Sequence, residues 1–216
     1  MAGFFNVNNK FWSAISSAVD AVLLNAMWLF TCLPIFTIGA ATTSFYYTTH
    51  KVIRNQRSGI WTEYWSSFKA NFKQATKIWL MFLVAFVILY VDITISLEAL
   101  KEGAQIGVTA YFFYVILGLA LVWFMYVFAY IARFEAGTKA TLKNALIMAF
   151  AHPVYALIVL ALVVATLYVC VVLPILFWFV PTIAMNFINL ALEKVFRQYM
   201  SEEDLLEEQQ NDMMRG

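Results

Sequence analysis

Four apolar tracts dominate the chain, at about residues 11–50, 78–97, 108–132 and 153–192. The second and third are 20 and 25 residues long, and about 20 apolar residues are enough to cross a hydrocarbon core roughly 30 Å thick. The first and last are too long for one crossing, and a proline interrupts each near its middle, at Pro34 and Pro174. Because proline lacks the backbone N–H of a continuous helix, each long tract predicts either a kinked span or a hairpin of two short helices.

The distribution of basic residues favours the hairpins. With hairpins there are six spans, at about 12–32, 36–53, 77–96, 108–132, 153–172 and 176–196, and both termini lie on one side. All 14 Lys and Arg residues except Lys101 then share that side, whereas four kinked spans divide them nine to five. Since Lys and Arg near span ends mark the cytoplasmic side, the sequence predicts an all-α, polytopic transmembrane bundle of six spans with cytoplasmic termini. Four or five spans are the alternatives.

The composition agrees with a membrane protein. Apolar residues make up 63% of the chain and charged residues 12%, against about 45–50% and about 25% in soluble domains. A soluble fold of this size could not cover so much apolar surface, which excludes a soluble enzyme, a nucleic-acid-binding protein and a disordered regulator. We expect one transmembrane helical domain over residues 1–199 and an acidic cytoplasmic tail over residues 200–216.

The connection between spans 2 and 3 predicts an amphipathic helix. Its aromatic and basic residues recur at helical spacing on neighbouring faces: Trp61, Tyr64, Trp65, Phe68 and Phe72, then Lys69, Lys73 and Lys77. An aromatic face with basic flanks is typical of a helix lying in the headgroup plane. It serves either as an aromatic and positive-inside anchor or as a docking surface for a partner or anionic lipid, with Trp61, Trp65, Lys69 and Lys73 as contacts. Residues 133–152 predict a weaker version of the same interfacial helix.

Polar residues inside the apolar tracts are the candidates for a functional site, because an ionisable group in hydrocarbon is costly and usually faces the bundle interior. Asp20 and Asn189 each lie about 12 Å from the cytoplasmic end of their span. We expect them to meet in an intramembrane polar cluster that also includes Asn25, Asn186 and Glu193. The cluster would be either a solute or proton site or a set of interhelical hydrogen bonds that fixes the packing.

The turns and small residues of the first hairpin predict close helix packing. Pro34 and Pro174 mark the two turns, and Gly39 begins a run of small residues in span 2. Gly39 with Thr43 follows the small-xxx-small pattern that lets helix backbones approach each other. The expected neighbour is span 1 or another subunit.

Motifs for catalysis, metal binding or cofactor binding are not found in the sequence. It contains no GxxxxGK[ST], GxSxG or HExxH pattern. Cys32 and Cys170 lack the spacing of a zinc site or redox pair. His50 and His152 lie near the predicted cytoplasmic boundary, where a hydrated histidine needs no special role. The expectation is a protein that is not an enzyme and uses no cofactor.

Several of these motifs together resemble the YesL family of bacterial membrane proteins. Residues 32–43, CLPIFTIGAATT, resemble its signature, and Asp20, Asn25 and Trp28 precede it at the usual spacing. Further similar segments are residues 68–75 (FKANFKQA), 133–135 (RFE) and 143–146 (KNAL), so the resemblance covers about residues 1–200. The family comprises membrane proteins of uncharacterised function, often encoded beside binding-protein-dependent sugar uptake systems. The resemblance implies a role in carbohydrate uptake or its regulation and supplies no catalytic residues.

Two functions are therefore expected. The first is a non-enzymatic accessory or regulatory partner of a carbohydrate-uptake transporter in the bacterial plasma membrane. Its partners would be the lipid bilayer and either the membrane subunits of the transporter or a second copy of the chain. The second is an autonomous carrier of a small solute, with its polar site between spans 1 and 6.

Overall fold

The computed structural model describes residues 4–54, 59–203, 205, 206 and 210, and in this part of the chain it contains helices and no strand. The α-helices are α1 (Phe4–Cys32), α2 (Ile38–Thr48), α3 (Ile60–Lys101), α4 (Thr109–Arg133), α5 (Thr138–Ala151), α6 (Pro153–Val172) and α7 (Val180–Phe196). The predicted all-α class is confirmed. The acidic tail lies largely outside the described residues.

Both long apolar tracts are hairpins of two helices. A short 3-10 turn, Ile35–Thr37, follows Pro34 and separates α1 from α2, and a second, Pro174–Trp178, separates α6 from α7. Pro34 has an extended backbone conformation (φ −76°, ψ 107°), which breaks the helical hydrogen-bond ladder at the position the sequence indicates. We call the α1–α2 pair the first hairpin and the α6–α7 pair the second hairpin. The structure therefore has the two hairpins that the sequence favours, and not the alternative of two kinked spans.

α3 is one continuous helix that includes the predicted interfacial segment and the predicted third span. It runs for 42 residues, about 63 Å at 1.5 Å per residue, and no Gly or Pro interrupts it. Its aromatic face points inward: Tyr64 is fully buried, and Trp65, Phe68 and Phe72 pack against the core. Residues 61–77 were predicted to form a separate helix that rests on its aromatic face in the headgroup plane. This prediction is wrong, because these residues are the first part of α3 and their aromatic face packs against the protein.

Three helices are long and apolar enough to cross a membrane, namely α3, α4 and α6. They carry large apolar side chains on the outside of the fold, for example Val84, Tyr111 and Leu167. Apolar surface on this scale is typical of contact with lipid or another protein. The finding supports contact between this protein and a bilayer.

The turn of the first hairpin lies beside the lower, N-terminal half of α3. The Trp79 indole N–H donates to the Ile35 carbonyl oxygen at 2.6 Å, and the hydroxyls of Thr31 and Tyr64 are hydrogen-bonded to each other. α3 continues for about 33 Å beyond Trp79. Six spans would place Thr31 and Ile35 on the side of the membrane opposite Tyr64 and Trp79. These contacts therefore argue against α1 and α2 as two full crossings.

Cross-linking of cysteine pairs will distinguish these two positions of the hairpin turn. In a background with Cys32 and Cys170 replaced by alanine, we expect a short bifunctional thiol reagent to link Ile35→Cys to Trp79→Cys. The matched pair Ile35→Cys with Ile95→Cys should not be linked, because Ile95 is about 24 Å farther along α3. Linkage of the second pair instead of the first, read from peptide mass spectra, would support the six-span arrangement.

Candidate functional site

The polar stripe of α7 faces the protein interior. Thr182, Asn189 and Glu193 are buried, whereas Ile183 and Phe187, on the opposite face of the same helix, are more than half exposed. A helix with its polar residues inside and its apolar residues outside is suited to lipid contact. The orientation follows from the steps of three and four residues that place the polar side chains on one face.

Glu193 lies at the centre of a buried hydrogen-bonded cluster. Its Oε1 accepts a hydrogen bond from the Tyr46 hydroxyl at 2.9 Å and lies 3.6 Å from Nδ1 of His50. Its Oε2 lies 3.0 Å from a terminal guanidinium nitrogen of Arg133. Glu193 is only 1% exposed, so this carboxylate has exchanged water for side-chain partners. We call Tyr46, His50, Arg133, Asn189 and Glu193 the Glu193 cluster.

Three separate elements supply the partners of Glu193. Tyr46 lies on α2, which widens into a π-helical turn at Thr49–Arg54 that carries His50. Such turns are rare and are often found at functional sites. Arg133 is the last residue of α4, where the partial negative charge of the helix C-terminus favours a cation. The cluster therefore joins α2, the π-helical turn, α4 and α7.

Further contacts within and around the cluster hold it in place. The Asn189 amide donates to the carbonyl oxygens of Tyr46 at 3.3 Å and Met185 at 3.2 Å. The ring of Phe196, one turn beyond Glu193, packs edge-on against Tyr46 and Tyr130. Breaking a buried ion pair by removing one partner is costly. The geometry is therefore that of a lock between helices, in which one Glu193 oxygen accepts a hydrogen bond and the other forms an ion pair.

The polar residues predicted as one cluster divide into two groups. Asn189 and Glu193 share Tyr46 as a partner. Asn25 instead donates to the Phe177 carbonyl oxygen at 2.6 Å, in the turn of the second hairpin. Asn186 is half-buried on α7 between these two groups.

The register between α1 and α7 separates Asp20 from Asn189. Thr182 donates to the Ala21 carbonyl oxygen at 3.0 Å, so the antiparallel helices place Asp20 beside Ile183. That position is about 9 Å along α7 from Asn189. Asp20 is half-buried there. The expected contact between Asp20 and Asn189 does not fit this register.

Sequence reasoning missed three members of the Glu193 cluster. His50, interpreted as a hydrated interfacial histidine, is 6% exposed and contacts Glu193. Arg133 and Tyr46 are also absent from the polar cluster that the sequence predicts. A signal was present for Arg133, because a buried glutamate in one apolar helix calls for a basic partner at the end of another. His152, the other histidine, is half-buried and lies 3.2 Å from the Tyr199 hydroxyl.

The predicted docking residues separate into an exposed and a packed set. Lys69, Lys73 and Lys77 are exposed along one face of α3, and we call them the lysine ridge. Trp61 beside them is 61% exposed. Trp65 is half-buried and packs edge-on against Trp61 with ring centroids 5.9 Å apart. The accessible surface of this segment is therefore basic, with one aromatic residue at its lower end.

Gly39, the predicted packing residue of the first hairpin, lies against α3 and α4. Gly39 is buried so closely that a Cβ atom would lie 2.6 Å from the Trp79 Cβ, 2.7 Å from the Ala75 carbonyl oxygen and 2.7 Å from the Phe128 ring. Close approach is the property that the small residue was predicted to provide, but its neighbours are α3 and α4, not α1. Pro34 and Pro174 lie in the exposed turns.

Comparison with known proteins identifies a similar domain and no activity. Residues 21–93, about a third of the chain, match the family model described as "Protein of unknown function, DUF624". No curated protein and no solved structure matches the chain. The matched segment runs from α1 into α3 and includes Tyr46, His50 and the lysine ridge, but ends before Arg133 and Glu193. Over these residues the chain is similar to an uncharacterised domain.

Proposed function

We propose that the protein is a non-enzymatic accessory protein of the bacterial plasma membrane that docks on the membrane subunits of a carbohydrate-uptake transporter. The observation that carries the proposal is the lysine ridge. It presents three cations over about 12 Å of α3, on the same continuous helix that carries one of the apolar candidate spans. A docking contact on the ridge would therefore be coupled directly to the membrane part of the fold.

The chemistry of the ridge defines the surface it would bind. Lysine ammonium groups are compact, hydrated cations, and complementary charge steers association and sets the register of an interface. We expect the partner surface to carry acidic side chains, as a cytoplasmic loop of a permease subunit can. The resemblance to the YesL family favours a sugar permease as the partner class.

The ridge is held rigidly by the elements behind it. On the inner side of α3, Gln74 donates to the Ala136 carbonyl oxygen at 2.8 Å and to the Thr141 hydroxyl at 3.0 Å. Lys51 and Glu63 form an ion pair of 2.8 Å that ties the π-helical turn to the first turn of α3. The backbone of a helix fixed in this way loses little conformational freedom on binding.

A solute carrier is less well supported by the interior. The partners of Glu193 are other side chains of the cluster, and a cavity between α3, α4, α5 and α6 has apolar walls. A small polar solute needs hydrogen-bonding groups that converge on its site. We therefore interpret the Glu193 cluster as a structural lock.

The orientation that we propose has two full crossings, α3 and α4. Both hairpins enter from the cytoplasmic face and return to it, because the first contacts α3 at Trp79 and reaches the turn of the second through the hydrogen bond from Asn25 to Phe177. All Lys and Arg residues except Lys101 then remain cytoplasmic, as the positive-inside rule requires. Both termini and the lysine ridge lie on that side.

Photo-cross-linking in living cells will test the docking surface. With a photoreactive amino acid in place of Lys73, we expect covalent capture of a permease membrane subunit that mass spectrometry can identify. The same amino acid in place of Lys143, which is exposed on α5, is the matched control and should not capture that subunit. Equal capture from both positions, or capture of lipid alone from position 73, would contradict the proposed surface.

A further inference from the structure

An apolar groove lies between α3, α4, α5 and α6. Its volume is about 680 Å³, within the range of about 300–1,000 Å³ that is usual for ligand pockets. The floor contains Leu89, Val122 and Ala149, which are all buried. The groove is therefore a formed concavity in the packed part of the fold.

The groove opens on an apolar surface of the fold. Two of its walls are formed by α5 and α6, whose lining residues Phe150 and Leu157 are 67% and 66% exposed. The remaining walls belong to α3 and α4, which with α6 are the helices apolar enough to cross a membrane. The one polar group among the lining side chains, the Trp123 indole N–H, donates to the Leu142 carbonyl oxygen at 3.1 Å. A hydrocarbon chain can pack against such a surface without cost, because no atom of the chain needs a hydrogen-bond partner.

Basic residues continue the groove wall toward the cytoplasmic side. On α5, Lys139 and Lys143 are exposed, and Leu146 and Phe150 of the groove follow at steps of three and four residues. All four therefore share one face of the helix. Along α5, Lys143 lies about 10 Å from Phe150. A chain lying in the groove would bring the headgroup of its lipid to these lysines.

We propose that the groove binds one acyl chain of an anionic phospholipid whose phosphate contacts Lys143 and Lys139. Basic groups beside transmembrane helices on the cytoplasmic side bind acidic headgroups, and juxtamembrane lysines attract anionic lipids. The apolar walls supply the contact with the chain, and the two cations supply the preference for negative charge. The site is separate from the lysine ridge and does not depend on the proposed docking partner.

Native mass spectrometry of the full-length protein in detergent will test the site. Phosphatidylglycerol and phosphatidylcholine with identical acyl chains are the probes. We expect one phosphatidylglycerol to remain bound at concentrations where phosphatidylcholine does not. Lys139→Gln with Lys143→Gln should weaken phosphatidylglycerol binding by about 30-fold, as expected for two lysines near a charged surface, whereas Lys69→Gln with Lys73→Gln should leave it unchanged.

A second pair of variants tests the groove itself. Ala156→Phe fills the groove from α6 and should abolish retention of the lipid, whereas Ala165→Phe, at an exposed position on the same helix, should not. Equal binding of both lipids, or equal effects of the two lysine pairs, would show only non-specific annular lipid and overturn the proposal. A dimer whose formation requires the unfilled groove would also overturn it, by making a second copy the occupant.

Discussion

Arg133→Met is expected to destabilise the protein by about 3–5 kcal/mol, because it leaves a buried carboxylate without its cation. Glu193 has only 2% of its side chain exposed, so water cannot replace the guanidinium. Tyr46 can still donate to one oxygen, but the negative charge is no longer balanced by Arg133. The expected result is a lower free energy of unfolding, measured by denaturant titration in mixed micelles.

Two further variants separate the ion pair from a general effect of substitution. Arg133→Met combined with Glu193→Leu removes both charges and should recover a large part of the lost stability, since an apolar pair in place of a buried ion pair is often neutral or stabilising. Lys194→Met replaces an exposed cation on the same turn of α7 and should change stability by less than about 0.5 kcal/mol. Equal losses for Arg133→Met and Lys194→Met would contradict the role of the Glu193 cluster as a lock.

Gly39→Val should separate the first hairpin from α3 and α4. A Cβ at this position would lie 2.7 Å from the Ala75 carbonyl oxygen, a backbone atom inside a continuous helix that cannot move aside. Overpacking of a well-packed core costs about 1–3 kcal/mol and sometimes more. We expect a loss of stability of at least that size, together with loss of cross-linking between cysteines at positions 35 and 79.

Gly39→Ala, whose Cβ alone would meet the same close contacts, has Gly118→Ala as its matched control. Gly118 also lies inside a helix, α4, but its nearest neighbour is a flexible leucine methyl group at 3.6 Å from the position of the new Cβ. Because alanine favours a helix over glycine by up to about 1 kcal/mol, this variant should be neutral or slightly more stable. A Gly39→Ala protein as stable as Gly118→Ala would show that the close approach at residue 39 is unimportant.

The sequence predicted most helices well, because hydrophobic length and proline are local signals. The predicted span at 108–132 coincides with α4, Thr109–Arg133, and Pro34 and Pro174 mark the two hairpin turns. The sequence did not predict how far the first hairpin extends along α3 and α4. Residues 39–44 are buried against α3 and α4, and a protein-facing helix can be as apolar as a lipid-facing one, so hydropathy alone could not distinguish the two.

The site was predicted in part for a related reason. Periodicity places Asn189 and Glu193 on the inner face of α7, and both are buried there. Periodicity within one helix carries no information about its register against another. Asp20 was therefore expected beside Asn189, although the contact between Thr182 and Ala21 shifts it along α7. Arg133 and His50 lie at the ends of apolar tracts, where a polar side chain is equally well explained by the membrane boundary.

Affinity purification from the native membrane in a gentle detergent tests the proposed accessory role most directly. The wild-type chain is compared with Lys69→Gln/Lys73→Gln/Lys77→Gln and with Lys139→Gln/Lys143→Gln, and co-purifying proteins are quantified by mass spectrometry. We expect stoichiometric sugar-permease subunits with the wild type and the second variant, and their loss with the first. Recovery of the wild-type protein alone or only as a homo-oligomer, with solute flux into liposomes, would contradict the accessory role and favour a carrier.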